Sequence, residues 1–288
     1  MRTIAVLNQK GGVGKTTTSV NLAAALAAAG SRVQLIDLDP QAHATLHLGV
    51  APGRHDTSIY DVLVNNATLA SVRREIDENL SLVGSHIDLA AAELELAGVV
   101  GREVILRDAM AADSAQFDYC LIDCPPSLGI LTLNALAAVD EVLIPLQPHF
   151  LALHGLSKLL ETIQLVSRRL NNRLSLRGVV LCMYESGTRL AAEVSRDVEE
   201  FFAQHRGGEG PWRETKVFQT RVRRNIRLAE APSFGQSIFQ YADDSHGAAD
   251  YQSLAKELLG CHAPTPQTSR IEPLMNAATT YDFLFTGN

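Results

Sequence analysis

The stretch LNQKGGVGKTTT, residues 7 to 18, decides the fold. An apolar run of strand length, TIAVLN (3–8), leads into it, and TTTSVNLAAALAAAG, closing on Gly30, follows with helical spacing. Strand, glycine loop and helix in that order make a phosphate cradle. Gly11, Gly12 and Gly14 remove the Cβ atoms that would hold backbone N–H groups off an anion, and the helix brings its partly positive N-terminus to the same point. Lys15 stands where it reaches β and γ phosphates, and the Thr16 hydroxyl where it ligates Mg2+. The usual pattern, G-x-x-x-x-G-K-S/T, asks for glycine at position 9, where this chain has Gln9, and a second lysine, Lys10, comes next.

Working outward, short apolar runs alternate with longer helical patterns, which is the signature of βαβ units. Strands are expected at 3–8, 32–37, 80–84, 119–124, 141–146 and 177–184, and helices at about 92–112, 128–138, 153–171 and 189–204. The fold class is therefore α/β, a single-domain, doubly wound, mainly parallel sheet flanked by helices. That domain is expected over 1–260. Residues 261–288 mix Pro, Thr, Ser and Asn without periodicity and read as a flexible or loosely docked tail.

Composition narrows the function classes. No run of eighteen uncharged apolar residues is present, and the first strand leads straight into the glycine loop, so a cytoplasmic protein is expected. Cysteines at 120, 124, 182 and 261 have no C-x-x-C spacing, which argues against a zinc knuckle or disulfide framework and for buried apolar fillers. A net charge of −7 opposes indiscriminate DNA binding by the whole surface, while leaving room for a local basic patch.

Two acidic motifs complete the chemistry of the loop. YCLIDCPP places Asp123 at the end of an apolar strand that two prolines stop, the position from which a carboxylate holds the metal through water. LIDLDPQ places Asp37 at a strand end and Asp39 just beyond it. Residues i and i+2 of an extended chain point the same way, so both carboxylates can face the phosphates, one of them orienting the attacking water. The spacing is equally compatible with two acids that cap a turn. Further on, TRVRRNIRLAEAP gathers Arg221, Arg223, Arg224 and Arg227 within seven residues, a set able to contact phosphates without reading base sequence. The competing reading is a solvated helix face laced with ion pairs.

Together KGGVGKTT, DLDPQ, DCPPSLGILTLNAL and RRNIRLAEAPSFGQSIFQY resemble the ParA/Soj branch of the deviant Walker A ATPases, relatives of MinD, over about residues 2–259. The resemblance implies an ATP hydrolase that works with Mg2+. It implies that Lys10 is the signature lysine, which crosses a face-to-face homodimer to the partner's nucleotide, so that hydrolysis loosens the dimer. It assigns Gly11, Gly12, Val13, Gly14, Lys15, Thr16 and Thr17 to the phosphate cradle, Thr16 to the metal and Asp123 to the metal through water. Asp39 becomes the water-positioning acid, with Lys10 and Lys15 as the catalytic cations and Asp37 a nearby support. In that branch the ATP dimer binds nonspecific DNA, an activity for which Arg189, Arg221, Arg223, Arg224 and Arg227 are the candidates here. A ParB-like protein stimulates the slow hydrolysis, and the expected place of action is the nucleoid.

Departures from the family pattern are also visible. The family's I-P-R-N appears as Val222, Arg223, Arg224 and Asn225, without the proline that walls the adenine site, leaving Asn225 as the base contact. His154 stands where the family has glutamate. A MinD-like role in positioning division, flagellar, chemoreceptor or cellulose-synthase machinery is the alternative. Membrane attachment is not expected, because no Lys or Arg follows Arg270. An electron-transfer ATPase resembling the nitrogenase iron protein would need cluster cysteines, and Cys124 has no matching second cysteine.

Overall fold

The computed structural model describes residues 1–53, 56–149, 152–208 and 210–260. Its strands are β1 (Arg2–Val6), β2 (Val33–Asp37), β3 (Arg73–Asp77), β4 (Leu80–Val83), β5 (Tyr119–Asp123), β6 (Glu141–Leu146), β7 (Ser175–Tyr184) and β8 (Lys216–Arg223). They lie in one sheet in the order β3-β4-β2-β5-β1-β6-β7-β8, parallel throughout except for the β3–β4 edge pair. The helices of the first half are α1 (Lys15–Ala28), α2 (His43–His47), α3 (Ile59–Val64), α4 (Leu69–Val72), α5 (Leu89–Glu95) and α6 (Ile105–Ala112). Those of the second half are α7 (Ile130–Ala138), α8 (Ala152–Arg169), α9 (Arg189–Gln204), α10 (Ile226–Glu230), α11 (Ile238–Tyr241) and α12 (His246–Leu259).

The central strands β2, β4, β5 and β6 are buried almost end to end because both faces of the sheet are covered there. The side-chain period of two sorts them between two cores. From β2, Val33 and Leu35 join Ile4, Leu121 and Leu143 in the layer beneath α1 and α12, while Ile36 joins Ala5, Ile122 and Ile144 in the opposite layer. Helix α1 is mostly buried, wedged between the sheet and α12; the Tyr251 hydroxyl lies 3.1 Å from Thr18 Oγ1 across that contact. Parallel pairing sends the carboxyl ends of β1, β2, β5, β6, β7 and β8 to one edge, where ligands of such sheets bind.

The expected fold class is the observed one, and the strand at 141–146 and the helix at 189–204 fall on their expected bounds. Three features differ. The helix expected over about 92–112 is two helices, α5 and α6, because Gly98 and Gly101 intervene and Gly101 takes φ +78°, a turn conformation that ends α-helical geometry. Antiparallel β3 is an added edge strand with a mixed, largely polar face. The arginine-rich segment is not one helix face: it is the end of β8, a two-residue link and the start of α10.

Candidate nucleotide site

The glycine loop connects the end of β1 to α1 at the carboxyl edge of the sheet. Gly12 and Gly14 adopt φ +74° and +92°, the left-handed region that only glycine enters without cost, and Gly14 sits at the helix start. No side chain caps α1, so its first-turn N–H groups face the loop's concavity. Asn8 locks the loop to the sheet. Its Nδ2 donates to the Pro145 carbonyl of β6 at 2.7 Å, and its Oδ1 accepts from the Lys10 N–H at 3.0 Å.

Lys15 is buried, with its ammonium donating to the Lys10 carbonyl at 3.2 Å, inside the concavity. Burial pulls its pKa down, while Asp123 and Asp39 pull the other way. Thr16 Oγ1 donates to Asp123 Oδ2 at 2.8 Å, and Ser19 Oγ to Asp123 Oδ1 at 2.7 Å. Asp123 is completely enclosed, and burial, reinforced by Asp37 on the neighbouring strand, pushes its pKa up.

Asp37 and Asp39 divide the work. Asp37 is fully buried; its Oδ2 accepts from the Thr45 N–H at 2.8 Å and the Thr45 hydroxyl at 2.7 Å, and its Oδ1 from the Asp39 N–H at 3.2 Å. The Thr45 hydroxyl in turn accepts from the Ser85 N–H at 2.9 Å, tying α2 to the loop after β4. Asp37 is thus a structural hub, and burial raises its pKa. Asp39, 8% exposed, caps the following turn through Gln41 N–H at 3.0 Å and acts electrostatically on Lys15. The turn-capping alternative is realised for both acids. Asp39 alone combines it with a place beside the loop lysine.

The arginines line the carboxyl edge at β7 and β8, the same edge as the loop, and each of the four has a carboxylate. Arg221 meets Glu199 at 2.8 Å, Arg223 meets Asp250 at 2.5 Å, Arg224 meets Glu185 at 2.7 Å and Arg227 meets Glu230 at 2.9 Å. Arg189 opens α9, is exposed, and makes no ion pair among the described residues. Asn225 caps α10, its Oδ1 accepting from the Arg227 N–H at 2.8 Å.

Comparison with known proteins follows the same lines. A family model described as "AAA domain" matches residues 1–176. The sporulation initiation inhibitor protein Soj of Bacillus subtilis (strain 168) is 46% identical over 256 residues, covering 88% of this chain and 97% of that protein. The chain belongs to the ParA/Soj family of P-loop ATPases. The chromosome partitioning protein ParA of Myxococcus xanthus (strain DK1622) is 43% identical over 271 residues, 94% of this chain and 92% of that one. Among solved structures, cobyrinic acid a,c-diamide synthase from Mycobacterium smegmatis with bound ATP analog and magnesium superposes with a TM-score of 0.75. It is 37% identical and covers 90% of this chain and 94% of that one.

For a ParA/Soj chain the oxygen donors here fit a magnesium ion. Thr16 Oγ1 and the Asp123 carboxylate are hard ligands 2.8 Å apart, and a cation beside them relieves the burial of that carboxylate. Sequence reading missed Ser19, Thr45, Asn8 and His149. Ser19 was findable, because a hydroxyl three residues after Thr16 shares its helix face. His149, whose Nε2 lies 2.6 Å from Lys10 Nζ, is 139 positions away and carries no local signal. Cys120, Cys124 and Cys182 are buried and unpaired by disulfides, as expected of fillers. Among the described residues, no helix is long and apolar enough to cross a membrane. The His154 side chain, Cys261 and the tail 261–288 lie outside the described residues.

Proposed function

We propose that this chain is a partition ATPase that closes into a homodimer around ATP, binds nonspecific DNA in that state and segregates a chromosome, plasmid or other cargo. The observation that carries the reading is the convergence on one loop of buried Lys15, the Thr16–Asp123 pair and an outward-facing Lys10. Residues 1–260 form the ATPase unit and 261–288 an appended tail.

Gly11, Gly12, Val13, Gly14, Lys15, Thr16 and Thr17 cradle the phosphates, and Asn225 meets the base. Thr16 holds Mg2+ directly and Asp123 through water; when bound, the ion supplies charge neutralisation across the β and γ phosphates. Asp39, which acts electrostatically on the loop lysine Lys15, orients the water that attacks. Lys10 offsets the charge of the partner's nucleotide, which ties dimerisation to the γ phosphate. A ParB-like protein stimulates turnover, and the protein works in the cytoplasm on the nucleoid.

Arg189, without an ion pair among the described residues, meets DNA phosphate directly; Arg221, Arg223, Arg224 and Arg227 exchange a carboxylate for a phosphate. Contacts of this kind add affinity without reading sequence and weaken with salt. The test is retention of full-length protein on plasmid DNA, with and without ATP, across a salt series, for wild type, Arg189→Ala and Arg224→Ala. Retention that requires ATP, falls steeply with salt and drops in both variants is the expected result. ATP-dependent binding to anionic liposomes with no retention on DNA would replace this reading with the MinD-like one.

A further inference from the structure

Lys10 is an exposed residue of the loop, yet its ammonium is engaged. Nζ lies 2.6 Å from Nε2 of His149, three residues beyond the end of β6. An ammonium only donates, so Nε2 must be the accepting, unprotonated nitrogen and the ring proton sits on Nδ1. Burial and the neighbouring Lys10 charge both push the His149 pKa down, which keeps the ring in that accepting form.

The backbone frame makes this contact reproducible. Asn8 ties the Lys10 N–H to the Pro145 carbonyl of β6, so the chain segments carrying Lys10 and His149 start from one fixed junction. Lys15 donates to the Lys10 carbonyl at 3.2 Å, fixing the loop from its other side. A long, flexible lysine that would sweep solvent is thereby given one resting place on its own protomer.

We propose that His149 is a positioning residue for Lys10, holding the ammonium on its own protomer until a second copy's nucleotide takes it over. This rests on the reading that Lys10 acts across an ATP dimer. Releasing Lys10 is then a step that opposes dimerisation, and it occurs once on each protomer. An exposed pair of this kind is worth roughly threefold in an equilibrium constant, so two of them weaken the dimer roughly tenfold.

The experiment measures the dimer dissociation constant by sedimentation with ATPγS and Mg2+, on the full chain. Wild type is compared with His149→Ala, His149→Leu, His149→Gln and Lys10→Ala, alongside affinity for a fluorescent ATP analogue at concentrations where the protein is monomeric. The Ala and Leu variants should dimerise roughly tenfold more tightly with unchanged monomer affinity, and Gln, whose amide oxygen accepts the same hydrogen bond, should stay near wild type. Ala and Leu variants that dimerise no more tightly than wild type, while Lys10→Ala fails to dimerise, overturn the role of His149 alone. A Lys10→Ala protein that dimerises normally overturns the underlying reading of the loop.

Discussion

The Ser19 hydroxyl donates to Asp123 Oδ1 at 2.7 Å, one helical turn beyond Thr16, whose hydroxyl donates to Oδ2 at 2.8 Å. Two hydroxyls on one face of α1 therefore fix the plane of a fully buried carboxylate. Ser19→Ala leaves one of its oxygens without a partner, at a cost of about 1–3 kcal/mol in stability. The Mg2+ dependence of nucleotide binding should weaken about 10- to 100-fold, as when the support of a metal-holding group is removed. A Mg2+ titration with a fluorescent nucleotide, set beside a melting curve, separates the effects; a lower melting temperature with an unchanged titration would make Ser19 merely structural.

Asp37 and Asp39, two positions apart, should fail differently. Asp37→Ala strands the Thr45 N–H and hydroxyl in the interior and should cost about 1–3 kcal/mol, read as a lower urea midpoint. Asp39→Ala removes only a cap on the exposed Gln41, so stability should change by less than about 1 kcal/mol, while turnover falls on the order of 100-fold with ATP binding retained. Normal turnover in Asp39→Ala would remove it from the water-orienting role.

Gly235 has φ +65°, and a Cβ there would lie 2.7 Å from Gly49 Cα, backbone against backbone where α2 meets the turn before α11. Gly235→Ala should therefore destabilise by more than about 1 kcal/mol. Gly98→Ala, with ordinary φ and nothing within 4 Å of the new carbon, is the control and should be near neutral. Equal urea midpoints for the two variants would contradict the close approach.

His47 is buried on α2, and burial pulls its pKa from 6.5 down to about 4, partly offset by a hydrogen bond with the Gln236 backbone. The folded chain resists the proton that the unfolded chain accepts. Stability is thus highest above the unfolded pKa and falls as pH drops from about 6.5 towards about 4. Between pH 7 and pH 5 the wild type should lose about 2 kcal/mol relative to His47→Gln, which has no proton to gain. Parallel urea titrations of the two proteins at both pH values give the difference, and the raised carboxylates cancel between them.

Much of the site is local in the chain and was readable there. The loop from Gly11 to Thr17 and the turn-forming DLDPQ are shaped by neighbours a few residues away, whereas Asp123, legible as a strand-end acid, takes its partners Thr16 and Ser19 from 107 and 104 positions away. The break between α5 and α6 was marked by Gly98 and Gly101, although periodicity on either side concealed it. Phosphate contact and an ion-paired face were both open for the arginine segment, and its pairs with Glu199 and Asp250 depend on where β8 lies against α9 and α12, which no local pattern encodes.

The sequence by itself determined the fold class, the phosphate loop and the family, because alternating apolar runs and a glycine-lysine turn are statements about adjacent residues. Only the tertiary structure decided that Asp37 is a buried hub while Asp39 stands by the loop lysine, and that Lys10 rests on His149. Those assignments depend on parallel strands brought side by side by long crossovers, and burial and contact at that edge are properties of the assembled sheet rather than of any segment in it.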